Sequence, residues 1–311
     1  MLHRFLCLLA LGFLAAVVPG EAQTAQTPQN GETPSTSQTN QAAPAPGATA
    51  TPLATAARIK GKIQVARVIG HVEAVPTAGG AAKVLRDGDM ISDETTVVTS
   101  ANSSVILAFS NGATVNIAAN SSLDIQQFEQ DPFAADIKVS DLKQEQGTST
   151  TRLNLNHGEL VGKVVHLNVD KGSEFSVQTP VGAAGIRGTT FRIIFRPNGN
   201  GTATFAVETQ EGRIVFSGTA NSVNVPAGRA ITATFSFTPA NGTTPAVIGT
   251  PIIQSQDLTP EEEQQILSAS QQISAATIDL VFSVNGNPVN NTPPPPPTVP
   301  APATTPGAGR S

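Results

Sequence analysis

The chain has 311 residues and a formal net charge of −5, and only 13% of its residues are charged. A nucleic-acid partner would call for a basic patch or stripe, so this charge balance argues against one. The chain contains no Trp and no Tyr. This argues against a lectin or a glycosidase, because carbohydrate sites commonly stack sugars on these rings.

The N-terminal segment has the pattern of a secretory signal peptide. Arg4 precedes an apolar run over residues 5–18, which is shorter than the roughly 20 residues of a membrane-spanning helix. Residues 20–22 then place small side chains where a signal peptidase reads them. We therefore predict a signal peptide over residues 1–22, cleaved after Ala22, with Ala25 as the second site. The alternative is an uncleaved N-terminal anchor.

Cleavage would leave a periplasmic or extracellular protein that has no transmembrane anchor. Cys7 is the only cysteine and lies inside the predicted signal peptide. The mature chain would therefore contain no disulfide and no thiolate metal ligand, and core burial would have to stabilise it.

Low-complexity segments flank a folded part. Residues 23–57 are rich in Gln, Thr, Pro, Ala and Ser, and we predict a disordered linker there. Residues 291–311 form a Pro-rich tail that includes five consecutive prolines, which favour an extended spacer. Between them we predict a β domain over residues 58–240 and a helix-strand appendage over residues 241–290.

A hairpin is the clearest signal within the β domain. Apolar residues on both sides of Asn111-Gly112 predict two strands joined by a two-residue type I′ turn. That turn would place Ala108 opposite Val115 and Ile106 opposite Ile117.

A looser pattern of strand, glycine turn and strand recurs along the domain. It centres on Gly88, Gly158, Gly212 and Gly228. The spacing is too irregular for a sequence repeat, but many short strands are indicated. We predict an all-β fold, either a β-sandwich or a short β-solenoid.

One helix is expected near the C-terminus. Thr259 is a good N-cap, Pro260 suits the first helical position, and residues 261–263 are glutamates that complement the helix dipole. Apolar residues recur at helical spacing up to Ala276, and residues 278–282 then predict a strand.

Motif inspection finds no catalytic, cofactor-binding or metal-binding site. The chain has no Gly-x-Ser-x-Gly elbow, no phosphate loop and no His-Glu-x-x-His. His71, His157 and His166 are interpreted as structural or surface residues. The carboxylates around Gly88 lack the bidentate Glu of a calcium loop, since the position that it would occupy is Val98. We predict a protein that is not an enzyme and needs no cofactor.

The most distinctive segment is 175–191. A strand ends at Thr179-Pro180, small residues follow, and Arg187 stands between glycines just before the next strand. Its guanidinium could tie turn carbonyls or a carboxylate such as Glu208 or Glu211, or it could be a docking point for a partner.

This segment resembles the FecR domain. In that family a strand ending Thr-Pro leads to Gly-Val-Arg-Gly-Thr-x-Phe, with Ile186 at the Val position here. The matching motif residues are Thr179, Pro180, Gly185, Arg187, Gly188, Thr189 and Phe191. Weaker similarities lie at residues 68–72, 85–91, 99–113 and 155–160, so the resemblance covers about residues 63–232.

The resemblance implies an extracytoplasmic binding or sensory module. The family includes envelope regulators that sense an occupied outer-membrane receptor and control a sigma factor, and those carry a cytoplasmic domain and a membrane helix. This chain has a predicted signal peptide and linker instead. We therefore expect a non-enzymatic module whose partner is another envelope protein. The alternative is a structural cell-surface protein that associates with wall or polysaccharide, and a hydrolase is the least favoured hypothesis.

Overall fold

The computed structural model describes residues 57–218, 221–241 and 244–284. The predicted signal peptide, nearly all of the predicted linker and the Pro-rich tail lie outside the described residues. In the part that is described, no helix is both long enough and apolar enough to cross a membrane.

Most described residues lie in β-strands. Strands β1 to β9 are Ile59–Lys60, Ile63–Ile69, Val72–Pro76, Lys83–Val84, Met90–Ile91, Thr95–Thr99, Ser104–Phe109, Thr114–Ile117 and Ser121–Gln130. Strands β10 to β16 are Ile137–Lys138, Ser149–Lys163, Glu174–Thr179, Gly182–Ile186, Thr190–Pro197, Thr202–Glu211 and Arg213–Gly218. Strands β17 to β21 are Ser222–Pro226, Arg229–Thr238, Val247–Ile248, Gln254–Asp257 and Val281–Phe282. Helix α1 is Pro260–Thr277, and short 3-10 helices lie at Val139–Asp141 and Val169–Lys171.

Most of these strands form two sheets, while β10 and β21 form a separate two-stranded sheet and β19 pairs with the end of β18. Sheet A has the order β17-β16-β13-β12-β11-β9-β6-β3-β4, and β1 pairs with the end of β9. Sheet B has the order β5-β2-β7-β8-β11-β14-β15-β18-β20. Neighbouring strands in both sheets are antiparallel except for the parallel pair β11–β12.

Strand β11 belongs to both sheets. Its first half pairs with β9 and β12 in sheet A, and from Gly158 onward it pairs with β8 and β14 in sheet B. Gly158 takes a φ of +106° at this crossing, and a Cβ there would lie 2.4 Å from Cβ of Ser121. The predicted turn at Gly158 is therefore wrong: the glycine bends one continuous strand.

A single apolar core lies between the sheets. The largest buried cluster combines inward side chains from both, for example Leu107 and Phe195 of sheet B with Leu123 and Val177 of sheet A. Alternate residues of each strand point inward, as a two-layer packing requires. The all-β prediction is confirmed, and the mainly antiparallel pairing selects the sandwich over the solenoid.

The hairpin at Asn111-Gly112 forms, but its predicted register is wrong by one residue. Leu107 rather than Ala108 lies opposite Val115. Gly112 alone takes a positive φ, and Asn111 instead accepts from the backbone N–H of Ala113 with its own Oδ1. The turn is therefore longer than the type I′ form, which needs two positive φ values.

Helix α1 begins where the sequence predicts. Thr259 Oγ1 accepts from the backbone N–H of Glu262, whose carboxylate accepts from the backbone N–H of Thr259, which makes a capping box. Ile266 and Ile273 pack on Ile106 and Val161, so the helix covers part of the outer face of sheet B.

The strand predicted over residues 278–282 is shorter than expected. Only Val281–Phe282 are extended, and they pair with β10. Ile278 keeps helical backbone angles, and the N–H of Leu280 donates to the carbonyl of Thr277. A turn that continues the helix therefore takes the place of the predicted first strand residues.

Candidate functional site

The segment 175–191 folds as a hairpin, β12–β13, followed by a turn into β14. Thr179 Oγ1 donates to the carbonyl of Gly182 at 2.9 Å and accepts from the N–H of Val181 at 3.3 Å. Pro180 stands at the second turn position, where its fixed φ is favourable. Thr179 and Pro180 thus have a structural role that their chemistry explains.

Strand β13 is the element of this segment that the sequence did not predict. Its residues are mostly Gly and Ala, which have low strand propensity. A Cβ at Gly182 would lie 2.4 Å from the carbonyl oxygen of Ser217, so β13 and β16 pack too closely for a side chain there. A Cβ at Gly185 would meet only an ordinary contact of 3.6 Å.

Gly188 holds two turns together. It takes a φ of +63°, and a Cβ there would lie 3.1 Å from Cα of His166. A Cβ at Gly212, in the turn between β15 and β16, would lie 2.3 Å from the carbonyl oxygen of Gly188. The turn at Gly212 can approach the turn at Gly188 this closely because residue 212 has no side chain.

Thr189 and Phe191 face the interior. The carbonyl of Thr189 accepts from the N–H of Val164 at 2.9 Å. The ring of Phe191 is fully buried and covers Gly162 on the adjacent strand β11, where a Cβ would lie 2.4 Å from the ring. An aromatic ring therefore fills the space that the missing side chain leaves.

Arg187 is different from the other motif residues. Its side chain is exposed, and within the described ranges it makes no ion pair and no side-chain hydrogen bond. The predicted ties to Glu208 or Glu211 are wrong. Glu208 pairs with Arg192 at 3.1 Å, and Glu211 accepts from Thr190 Oγ1 at 3.1 Å.

Arg192 forms a buried ionic network that the sequence did not reveal. Its Nε donates to Glu159 Oε1 at 2.7 Å and its Nη1 to Glu208, and Arg196 binds the other oxygen of Glu159. Burial raises the pKa of Glu208 above its ordinary value, and the charge of Arg192 opposes this effect. The alternation of β14 places Arg192 on the outer face, but only the structure shows that its partners lie there.

A cavity of about 520 Å³ lies beside Arg187. Segment 166–171, Arg187-Gly188 and Gly212-Arg213 line it together with Gln144. Three cationic residues, Lys171, Arg187 and Arg213, thus line one cavity, and Asp170 is the single carboxylate residue in its lining. We call this cavity the Arg187 pocket.

Comparison with known protein families finds a match that includes this motif. Residues 95–215 match the family described as FecR protein. This segment is similar to the FecR domain. The match includes the whole of the motif from Thr179 to Phe191, so the resemblance noted in the sequence is confirmed. The similar segments at residues 68–72 and 85–91 precede the matched range, although their strands belong to the same sandwich.

Two crystal structures of a candidate anti-sigma factor from Parabacteroides distasonis are similar to this chain, with identities of 13% and 12% and TM-scores of 0.37 and 0.36. Each covers 55% of this chain, and the matches span 64% and 63% of those chains, which is less than two thirds of their length. No curated protein matches the chain.

Three of the other polar groups considered as sites have structural partners. Around the FecR domain, Asp87 Oδ1 accepts from the N–H of Val68, and Asp89 pairs with Lys83 at 3.0 Å. His71 contacts Glu73 at 3.1 Å. Over residues 57–218, 221–241 and 244–284, no three His, Cys, Asp or Glu side chains are grouped as metal ligands.

Proposed function

We propose that this protein is a non-enzymatic binding or sensory module of the cell envelope, which contacts another protein through the Arg187 pocket. The FecR domain supports a regulatory role, because the family contains envelope regulators. The predicted signal peptide supports passage across the inner membrane, to the periplasm or the cell exterior.

The exposure of Arg187 is the main observation that supports this binding function. The fold explains Thr179, Pro180, Gly188 and Phe191 of the motif through turn hydrogen bonds, close backbone packing and core burial. It leaves Arg187 exposed and unpaired. A distinctive arginine that stabilises nothing in its own chain is the kind of residue that a binding surface uses.

The first experiment is cell fractionation of the tagged full chain. We expect the protein in the envelope or extracellular fraction and a mature N-terminus at Gln23. Recovery only in the cytoplasm would contradict the proposal. So would an uncleaved chain that fractionates with the cytoplasmic contents.

The second experiment is cross-linked capture of envelope proteins with matched variants. A partner should be recovered with the unchanged chain and with Arg67→Ala, and should be depleted about tenfold with Arg187→Ala. Arg67 is a suitable control because it is also exposed and forms no ion pair among the described residues. The captured protein is then purified and tested for direct binding. Equal recovery with all three chains would refute a role for Arg187.

A second candidate is a structural protein of the cell surface that adheres to wall polysaccharide. The outer face of sheet A carries a row of amides and hydroxyls, in which Asp124 accepts from Thr96, Asn154 and Asn156 at 2.8 to 3.1 Å. Such groups can hydrogen-bond sugar hydroxyls. Retention on purified wall material that Asn154→Ala reduces, and Arg187→Ala does not, would favour this candidate.

A further inference from the structure

We infer that the Arg187 pocket binds the carboxylate side chains of an acidic segment of a partner protein. This inference rests on the proposed binding function and adds the chemistry of the partner. The pocket is a local concentration of positive charge on a chain whose net charge is −5.

The fold places two arginines together at an energetic cost. Strands β13 and β16 are antiparallel, and their last pair at this end is Ile186 with Ile214. Arg187 directly follows Ile186 and Arg213 directly precedes Ile214, so both arginines stand next to this last pair. Like charges that line one pocket repel each other, and neither arginine makes an ion pair among the described residues that would offset this repulsion.

The glycines of the two turns enforce the arrangement. Gly188 follows Arg187 and Gly212 precedes Arg213, and a Cβ at Gly212 would lie only 2.3 Å from the carbonyl oxygen of Gly188. Lys171 comes from the 3-10 helix Val169–Lys171, which lies on another side of the same pocket. Three separate segments therefore converge to bring their cations to one place.

The cations are available to a ligand. Lys171, Arg187 and Arg213 are exposed, and none of the three makes an ion pair within the described part of the chain. Asp170 is the single carboxylate in the pocket, so an excess of positive charge remains. A guanidinium matches a carboxylate through two parallel hydrogen bonds, which favours Glu or Asp side chains as ligands.

A protein segment fits this pocket better than an acidic polysaccharide. None of the residues that line the pocket is Phe, Tyr or Trp, so it lacks the large ring faces on which sugars commonly stack. Its volume of about 520 Å³ suits a few side chains rather than an extended polymer.

The test uses the full mature chain and a fluorescent hexaglutamate peptide, with hexaglutamine as the uncharged control. We expect binding of hexaglutamate alone, by fluorescence anisotropy, and weaker binding as salt rises from about 0.05 to about 0.5 M, because exposed charges are screened. Arg187→Gln and Arg213→Gln should each weaken binding about tenfold, and Arg67→Gln should leave it unchanged.

Folding of the variants is checked by thermal unfolding. Arg187→Gln and Arg213→Gln should keep or raise the unfolding midpoint, because each removes one of the like charges that line the same pocket. A clear fall in the midpoint of either variant would show that the arginine stabilises the fold, which would overturn the inference.

Other outcomes separate this inference from the proposed function. Polygalacturonate binding that depends on Arg187, without hexaglutamate binding, would overturn the acidic protein segment in favour of a polymer. Absence of binding to either probe would overturn the anion site. A further outcome is an envelope partner that binds the unchanged chain and Arg213→Gln equally, at low and at high salt, and fails to bind Arg187→Ala. That result would keep the proposed function and overturn the carboxylate side chains as the ligand.

Discussion

Arg187 and Arg192 are five residues apart and have opposite environments. Arg187 is exposed beside a cavity, whereas the side chain of Arg192 is 8% exposed and lies between Glu159 and Glu208. Both are arginines close to the same motif, so residue type alone does not separate them. Their partners distinguish them: Arg192 pairs with two carboxylates, and Arg187 has no ion-pair partner among the described residues.

Truncation of Arg192 tests the buried network. Arg192→Ala should lower the free energy of unfolding by about 3 kcal/mol, because it leaves Glu208 buried without its partner. Urea unfolding followed by circular dichroism measures the change. Arg196→Ala is the matched control and should cost less than about 1 kcal/mol, since its side chain is half exposed. Equal effects would show that the network is not buried in solution.

The raised pKa of Glu208 predicts a pH dependence of stability. Its pKa is higher in the folded than in the unfolded chain, where it is close to 4.5. The stability that this shift contributes is therefore present below the unfolded pKa and is lost as pH rises through the folded pKa. The free energy of unfolding of the unchanged chain, relative to Glu208→Gln, should rise as pH falls from about 8 to about 5. If the difference in free energy of unfolding between the two chains stays constant over this pH range, the pKa of Glu208 is not raised in the folded chain.

At the scale of elements, the two outer faces of the sandwich differ in whether helix α1 packs on them. It contacts sheet B through Ile266 and Ile273, on a face that also carries Arg192 and Glu208. The outer face of sheet A is not covered by a helix in the described part of the chain, and it carries polar side chains such as Asp124 and Asn154. The strands of both sheets alternate in the same way, but the apolar side of helix α1 packs only on sheet B.

Loss of the helix cap should loosen α1 without unfolding the sandwich. Thr259→Ala removes the hydrogen bond that Thr259 Oγ1 accepts from the N–H of Glu262 and leaves the bond from the N–H of residue 259 to the Glu262 carboxylate. This change should cost about 1 kcal/mol. Hydrogen exchange measured by mass spectrometry should show faster exchange in α1 and unchanged protection in the core strands. Ser268→Ala, in the exposed part of the same helix, is the control and should have no such effect. Faster exchange throughout the core strands would contradict this local effect.

At the scale of the whole molecule, aromatic pairs join the two sheets. Phe205 of sheet B and Phe216 of sheet A have ring centroids 5.0 Å apart, and Phe109 and Phe128 are 5.1 Å apart across the same interface. Together with the shared strand β11, these contacts should make the sandwich unfold as one cooperative unit.

A double-mutant cycle tests this coupling between the sheets. Phe205→Leu and Phe216→Leu should each lower stability, and their coupling energy should be about 1 kcal/mol, because the rings contact each other. Denaturant unfolding measures the cycle, and Phe205 with Phe128 serves as a control pair for which no ring contact is found. Strict additivity for Phe205 and Phe216 would show that the rings do not meet.

Local chemistry was enough to predict several elements. The sequence identified the helix N-terminus at Thr259, because a capping residue, Pro260 and glutamates act within one turn. It also identified the β class and the FecR motif. It failed at β13 and at Gly158, because there the glycines serve packing and bending rather than turns.

The amino-acid sequence by itself determined the all-β class, the α1 start and the motif that contains Arg187, since each depends on residues close together in the chain. The tertiary structure alone decided the hairpin register, the partners of Glu208 and the meeting of Arg187, Arg213 and Lys171. These features depend on which distant strands and turns become neighbours, and the chain order of the residues does not encode that in any local pattern.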